Sequence, residues 1–111
     1  MTNGETPQLL PGTLFMLILK SLERGALHGC AIAKRIKEAS GDGLEIEGGS
    51  LYPALNRLLV KGWVQAEWGT SENNRRARFY RLTLEGRKQL QAEAKEFNKL
   101  VKSIQLAMRT V

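Results

Sequence analysis

Gly49-Ser50-Leu51-Tyr52-Pro53-Ala54-Leu55-Asn56-Arg57-Leu58 decides how this chain is read, because a helical step of about 100° per residue sorts it into two unlike sides. Leu51, Leu55, Leu58 and the following Leu59 gather on one side to face a core. Pro53, Asn56 and Arg57 are left opposite, Tyr52 and Lys61 lie on the flanks, and Val60 points outward. Ser50 is the expected N-cap, with Pro53 in the first turn, where a missing amide hydrogen costs nothing. Shortly afterwards comes Asn73-Asn74-Arg75-Arg76-Ala77-Arg78, read as the basic end of a hairpin. A helix with a polar outer side beside an arginine-tipped ribbon suits a grip on duplex DNA.

Outward from that stretch, Trp63-Val64-Gln65-Ala66-Glu67-Trp68 and Ala77-Arg78-Phe79-Tyr80-Arg81-Leu82 alternate with period two, predicting two antiparallel strands. Residues 69–76 between them are polar and are expected to protrude as a flexible loop. Upstream, Leu44-Glu45-Ile46-Glu47 alternates apolar and acidic and is expected to form a short strand, preceded by a break at Ser40-Gly41-Asp42-Gly43. A second helix is expected from about His28 to Glu38. It carries Cys30, Ile32, Ala33 and Ile36, with Lys34, Arg35 and Lys37 on its wetter side. The first helix, from Gly12 to Arg24, is apolar on nearly every side, with Thr13 as its expected cap and Gly25 as its stop. Residues 1–11 read as a partly flexible arm in which Leu9-Leu10 is an apolar hook.

From Thr83, another expected cap, a last helix runs almost to the end of the chain. Leu90, Ala94, Phe97, Val101, Ile104, Met108 and Val111 recur in it at alternating intervals of 4 and 3, the seam of a coiled coil. Leu100 and Ala107 widen the stripe, so the helix is also suited to packing on the first helix of either subunit. Burying four or five large side chains per chain, at roughly 1.5 to 3 kcal/mol each, would contribute several kcal/mol to a homodimer before ordering costs are subtracted.

Composition narrows the function. A chain of 111 residues, 42% hydrophobic, has room for one compact domain, and its charge of +6 with a pI near 9.8 favours a polyanionic partner. No apolar run reaches the roughly 20 residues of a membrane span, and Met1-Thr2-Asn3-Gly4-Glu5 lacks the positive start of a secretory leader, so no membrane partner and a cytoplasmic location are expected. Cys30 is the only cysteine, which leaves no internal disulfide and no cysteine-based zinc site, and it reads as a small, partly buried filler. With one His and one Asp, only an arrangement such as Ser50 with His28 and Asp42 is even arithmetically possible as a catalytic triad, and no Gly-rich phosphate fingerprint or HExxH occurs. No catalytic residue, cofactor or metal ligand is expected.

Several stretches together are similar to the PadR family of bacterial transcriptional regulators. They are Gly12-Thr13-Leu14, Leu27-His28-Gly29-Cys30-Ala31-Ile32-Ala33, Glu47-Gly48-Gly49-Ser50-Leu51-Tyr52-Pro53-Ala54-Leu55, Ala66-Glu67-Trp68, Asn73-Asn74-Arg75-Arg76-Ala77-Arg78-Phe79-Tyr80 and Leu82-Thr83. The similarity covers nearly everything from Leu10 to Leu90. It departs at Cys30, where the family often has an aromatic residue. The wording of 71–77 and the brevity of the chain resemble a branch abundant in acidobacteria and often encoded near transport permeases.

The resemblance implies a mainly α (α+β) winged helix-turn-helix dimer that represses transcription from an operator. Residues 12–83 would then be the DNA-binding domain and 84–111 the dimerisation helix. In the major groove the residues expected nearest DNA are Ser50, Tyr52, Pro53, Asn56 and Arg57. Asn and Arg suit bidentate reading of base edges, while Ser50 and Tyr52 suit phosphate. Arg75, Arg76 and Arg78 would anchor the wing, while Lys34 and the helix start at His28 and Gly29 would hold a backbone oxygen. For His28 a capping or packing role competes with that contact. Leu90, Ala94, Phe97, Val101, Ile104 and Met108 would pair the subunits, which predicts an inverted-repeat operator on double-stranded DNA. The family also implies a small-molecule effector between subunits, with Met16, Phe97 and Val101 as its local pocket. The competing reading is a winged-helix module that binds protein or RNA through the same basic surface.

Overall fold

The computed structural model of the chain describes residues 9–110; the arm expected over 1–11 lies outside the described residues up to residue 8, as does Val111 of the expected seam. Helix α1 spans Pro11–Ser21. Its N-cap is Leu10 and not Thr13, because Pro11 occupies the first helical position, where its fixed φ suits the helix and its missing amide hydrogen goes unnoticed. The helix also ends three residues earlier than expected. The amides of Leu22 and Glu23 fold back onto the carbonyls of Leu19 and Lys20, and Gly25 follows at φ +151°. Ser21 reinforces that end by donating from Oγ to the Ile18 carbonyl at 2.6 Å.

Strand β1 is the pair Leu27–His28, and helix α2 follows over Gly29–Ala39 with His28 as its N-cap. The strand expected at 44–47 does not form. Its place as third strand is taken by β1, which pairs antiparallel with Tyr80 and Phe79. The apolar residues Leu44 and Ile46 are partly buried against the core without a ladder partner, so the alternation reported burial and not strand pairing. Between α2 and that segment, Ser40 Oγ accepts from the Leu44 amide at 2.9 Å and donates to the Lys37 carbonyl at 3.0 Å.

Helix α3 spans Gly48–Lys61 and is capped by Glu47, so the expected cap Ser50 lies inside the first turn and Pro53 lies beyond it, within the helix. The amide that Pro53 lacks would have bonded the carbonyl four residues back, at Gly49, which is exposed and within reach of water. Of the predicted inner side, Leu51, Leu55 and Leu58 are buried and Leu59 is partly buried; Ala54 joins them, whereas Val60 is almost fully exposed. Gly62 ends the helix at φ 78°, the left-handed conformation that favours glycine, and lets the Trp63 amide reach the Leu58 carbonyl at 3.1 Å.

Strands β2 (Val64–Thr70) and β3 (Arg76–Leu82) form the hairpin, in register from Val64 opposite Leu82 to Thr70 opposite Arg76, and the sheet order is β1-β3-β2. The strands run further than the sequence suggests, so the loop shrinks to residues 71–75. It is closed by the Ser71 amide on the Arg75 carbonyl at 2.8 Å, with Asn74 left-handed at φ 58°.

Helix α4 occupies Leu84–Thr110, and Thr83 caps it as expected, its Oγ1 accepting from the Gly86 amide at 3.0 Å and donating to the Gly62 carbonyl at 2.7 Å. The core joins Leu14, Ile18, Leu19 and Leu22 of the α1 region to α2, α3, Val64, Tyr80 and Leu90. Beyond Leu90, α4 leaves that core. A 27-residue helix is about 40 Å long, and the described residues measure 53 × 35 × 21 Å as a result. Among the described residues, no helix is long and apolar enough to cross a membrane.

Candidate nucleic-acid interface

The outer side of α3 presents Ser50, Pro53, Asn56 and Arg57, all exposed, in the positions that the helical period assigns to them. Tyr52, 44% exposed, also leans on a neighbouring helix. A Cβ built on Gly29 would lie 2.7 Å from the Tyr52 hydroxyl and 2.8 to 2.9 Å from its ring, so the phenol rests on the first turn of α2. Burial there, followed by the neighbouring Cys30 thiol and Tyr80, raises its pKa above the ordinary phenol value, and it stays a neutral hydroxyl. Tyr52 therefore joins α2 to α3, and Gly29 is needed for the close approach. Cys30, expected to be partly buried, is exposed at the same place.

His28 is buried and ties three elements together. Its Nδ1 accepts from the Ala31 amide at 3.3 Å, capping α2, which assigns the proton of the neutral ring to Nε2. That nitrogen faces Glu72 Oε1 at 3.4 Å, and the ring meets Phe79 edge-on at 5.4 Å. The Glu72 carboxyl is held below its ordinary range, first by its own backbone amide and then by His28. The wing tip is thus linked to the start of α2 by a carboxylate that lies inside an otherwise basic loop. Lys34, exposed on α2, borders the shallow depression between them, together with Cys30 and Arg35.

The four arginines of the hairpin divide by face. Arg81 lies on the outer face of the sheet and is engaged there, with Glu67 at 3.3 Å and Gln65 Oε1 at 2.9 Å. Its charge is engaged in local ion pairing and is set apart from Arg75, Arg76 and Arg78. Arg76 and Arg78 lie on the opposite face, with the guanidinium of Arg76 4.5 Å from the centre of the Trp68 ring and that of Arg78 6.0 Å from Tyr80. Arg75 is exposed at the tip, and among the described residues none of Arg75, Arg76 and Arg78 meets a carboxylate within 4.0 Å. Trp68 and Glu72 were not singled out from the sequence. The available signal was that Trp68 continues the inward alternation of Val64 and Ala66 past the end of the core.

Along α4, Leu90 is buried, Ala94 and Val101 are half-buried, and Phe97, Ile104 and Met108 are exposed by 40%, 51% and 76%. Among the described residues, the seam predicted for self-association is thus left exposed over its outer half. Met16, on α1, is half-buried at the margin of the core. A cavity of about 430 Å³ is lined by other residues, among them Leu59, Ala66, Phe79 and Arg81.

Three short helices followed by a β-hairpin and a long terminal helix, with a third strand entering just before α2, define a winged helix-turn-helix domain. The description of the PadR-like family of transcriptional regulators matches residues 18–92, and the chain belongs to that family, whose members are regulators and not enzymes. A transcriptional regulator from Clostridium thermocellum has a similar structure, with a TM-score of 0.77 and 30% identity over 85% of this chain and 91% of that one. A PadR family regulator from Eggerthella lenta is similar with a TM-score of 0.75 and 30% identity, over 90% and 85% of the two chains. An uncharacterized 37.1 kDa protein from a Streptomyces fradiae transposon is 41% identical over 85 residues, and the match takes in 77% of this chain but only 23% of that protein.

Proposed function

We propose that this regulator is a sequence-specific repressor that binds an inverted-repeat operator in double-stranded DNA as a homodimer. The observation that carries this reading is the exposed row of Ser50, Asn56 and Arg57 on α3 beside a hairpin whose Arg75, Arg76 and Arg78 meet no carboxylate among the described residues. Asn56 and Arg57 read base edges in the major groove, while Ser50 donates to phosphate and the hairpin neutralises phosphate alongside. Lys34 and the amides at the start of α2 contribute a further backbone contact, narrowed by the ring of Tyr52 over Gly29 and by the claim of His28 on the Ala31 amide.

In the same reading, residues 12–83 form the DNA-binding unit and the helix from 84 onward holds two copies together through Leu90, Ala94, Phe97, Val101, Ile104 and Met108. The exposure of the last residues of this seam supports that role. A small apolar effector would bind between subunits against Met16, Phe97 and Val101 and release DNA by favouring a spacing of the two heads that fits the operator poorly. Footprinting on the DNA upstream of the gene tests the proposal. Two symmetric half-sites about one helical turn apart are expected. Protection of one unsymmetrical half-site, or equal affinity for RNA and for any duplex, would refute it.

A further inference from the structure

Trp68 is 60% exposed, although it sits on the face of the hairpin that begins in the core. Val64 and Ala66 precede it on that face, the first buried and the second half-buried, so the indole is the first side chain to pass beyond the edge of the packed interior. No helix covers it. What covers part of it is the guanidinium of Arg76, 4.5 Å from the ring centre, reached diagonally because Arg78 stands directly opposite Trp68 and Arg76 opposite Thr70. Beside it, Arg78 leans toward Tyr80.

A free arginine on a hairpin samples many rotamers, whereas a guanidinium lying over an indole has its plane fixed and its edge N–H groups turned outward. Those groups are the ones that meet a phosphate in a bidentate pair, and the ring face does not compete for them. We propose that Trp68 is a positioning residue: it holds Arg76 stacked and extended before DNA arrives, so that the wing reaches the phosphate backbone at little cost in side-chain ordering. The inference rests on the DNA-binding reading given above and adds a residue to it. Trp68 itself makes no base contact, and its effect passes through Arg76.

The experiment is a double-mutant cycle on full-length protein, with operator affinity measured at several salt concentrations for wild type, Trp68→Ala, Arg76→Ala and the double variant. In the wild-type background Trp68→Ala is expected to weaken binding by about three- to fivefold, the scale of one exposed cation–π contact. In the Arg76→Ala background it is expected to change nothing. Trp68→Phe, which keeps a ring face, should recover most of the loss, and Arg76→Lys, which keeps the charge but not the plane, should behave like Trp68→Ala. Equal losses from Trp68→Ala in both backgrounds would overturn the proposal, since the indole would then touch DNA directly or support the hairpin. A Trp68→Ala protein that elutes as a smaller species than wild type would overturn it as well, by assigning the ring to a subunit contact. Wild-type protein that binds no duplex would instead defeat the DNA-binding reading, an outcome separate from the behaviour of the cycle.

Discussion

At the scale of single residues, two glycines are fixed by what lies against them. A Cβ on Gly86 would sit 2.0 Å from the Trp63 carbonyl oxygen, a backbone atom that cannot swing aside while the Thr83 amide is bonded to it. Gly86→Ala is therefore expected to lower stability by about 2 kcal/mol or more, as overpacking against a rigid partner does. Urea unfolding checks this, and a variant as stable as wild type would mean that α4 can slide off Trp63. At Gly29 the obstacle is the ring of Tyr52, which can rotate outward. Gly29→Ala should cost less, about 1 kcal/mol, and its cost should shrink in a Tyr52→Ala background because the clash is gone. Strictly additive losses would show that the two residues do not meet. Neither requirement is visible in the sequence, where Gly29 and Gly86 read as interruptions of helix-forming stretches.

At the scale of elements, the hairpin carries a carboxylate that faces His28 and, in the proposed complex, turns its arginines toward DNA. Glu72 has a folded pKa depressed below the ordinary glutamate value, so its contribution is complete above that ordinary value and is lost as pH falls through the lower, folded one. The carboxyl should titrate below the ordinary glutamate range by NMR, and His28→Ala should move the midpoint back upward. A midpoint unaffected by the substitution would remove His28 from the link. Arg75, exposed at the tip, acts on phosphate within the proposed complex. Arg75→Ala should weaken binding to every duplex and lower the salt slope by about one unit per subunit. An unchanged slope would take Arg75 out of the contact. The inner residues of α3 were legible in the sequence, since a period of 3.6 leaves no doubt about which leucines share a side. Its start was not, because Gly48 and Gly49 carry no side chain with which to signal a cap.

At the scale of the whole molecule, the described residues form a globular head with a rod attached. A radius of gyration of 15.4 Å, against about 13 Å for a compact chain of this size, reflects a helix that continues after the core has ended. The exposed seam along it makes association the expected state. Ile104, half exposed in the single chain, can carry a charge there without disturbing the head. Ile104→Glu is expected to raise the dimer dissociation constant by at least about tenfold, through lost apolar burial and an unpaired charge, while the helical circular dichroism signal stays largely intact. Sedimentation equilibrium would detect the change. A wild-type mass equal to one chain at all concentrations would end the seam argument.

What the amino-acid order determined by itself is local and periodic: four helices, the leucine side of α3, a hairpin over Trp63 to Leu82, the Thr83 cap and a heptad seam, each readable from neighbours a few residues apart. What only the tertiary structure decided are the meetings of residues distant in sequence. Leu27–His28 became a strand because Tyr80 and Phe79 offered an open edge, while Leu44–Glu47, with the same alternation, found none. Arg81 was claimed by Glu67 and Gln65 across the sheet, and Arg76 was left free to stack on Trp68. Periodicity says which side of an element is apolar, but the partner that meets the other side is chosen by the folding of the entire chain.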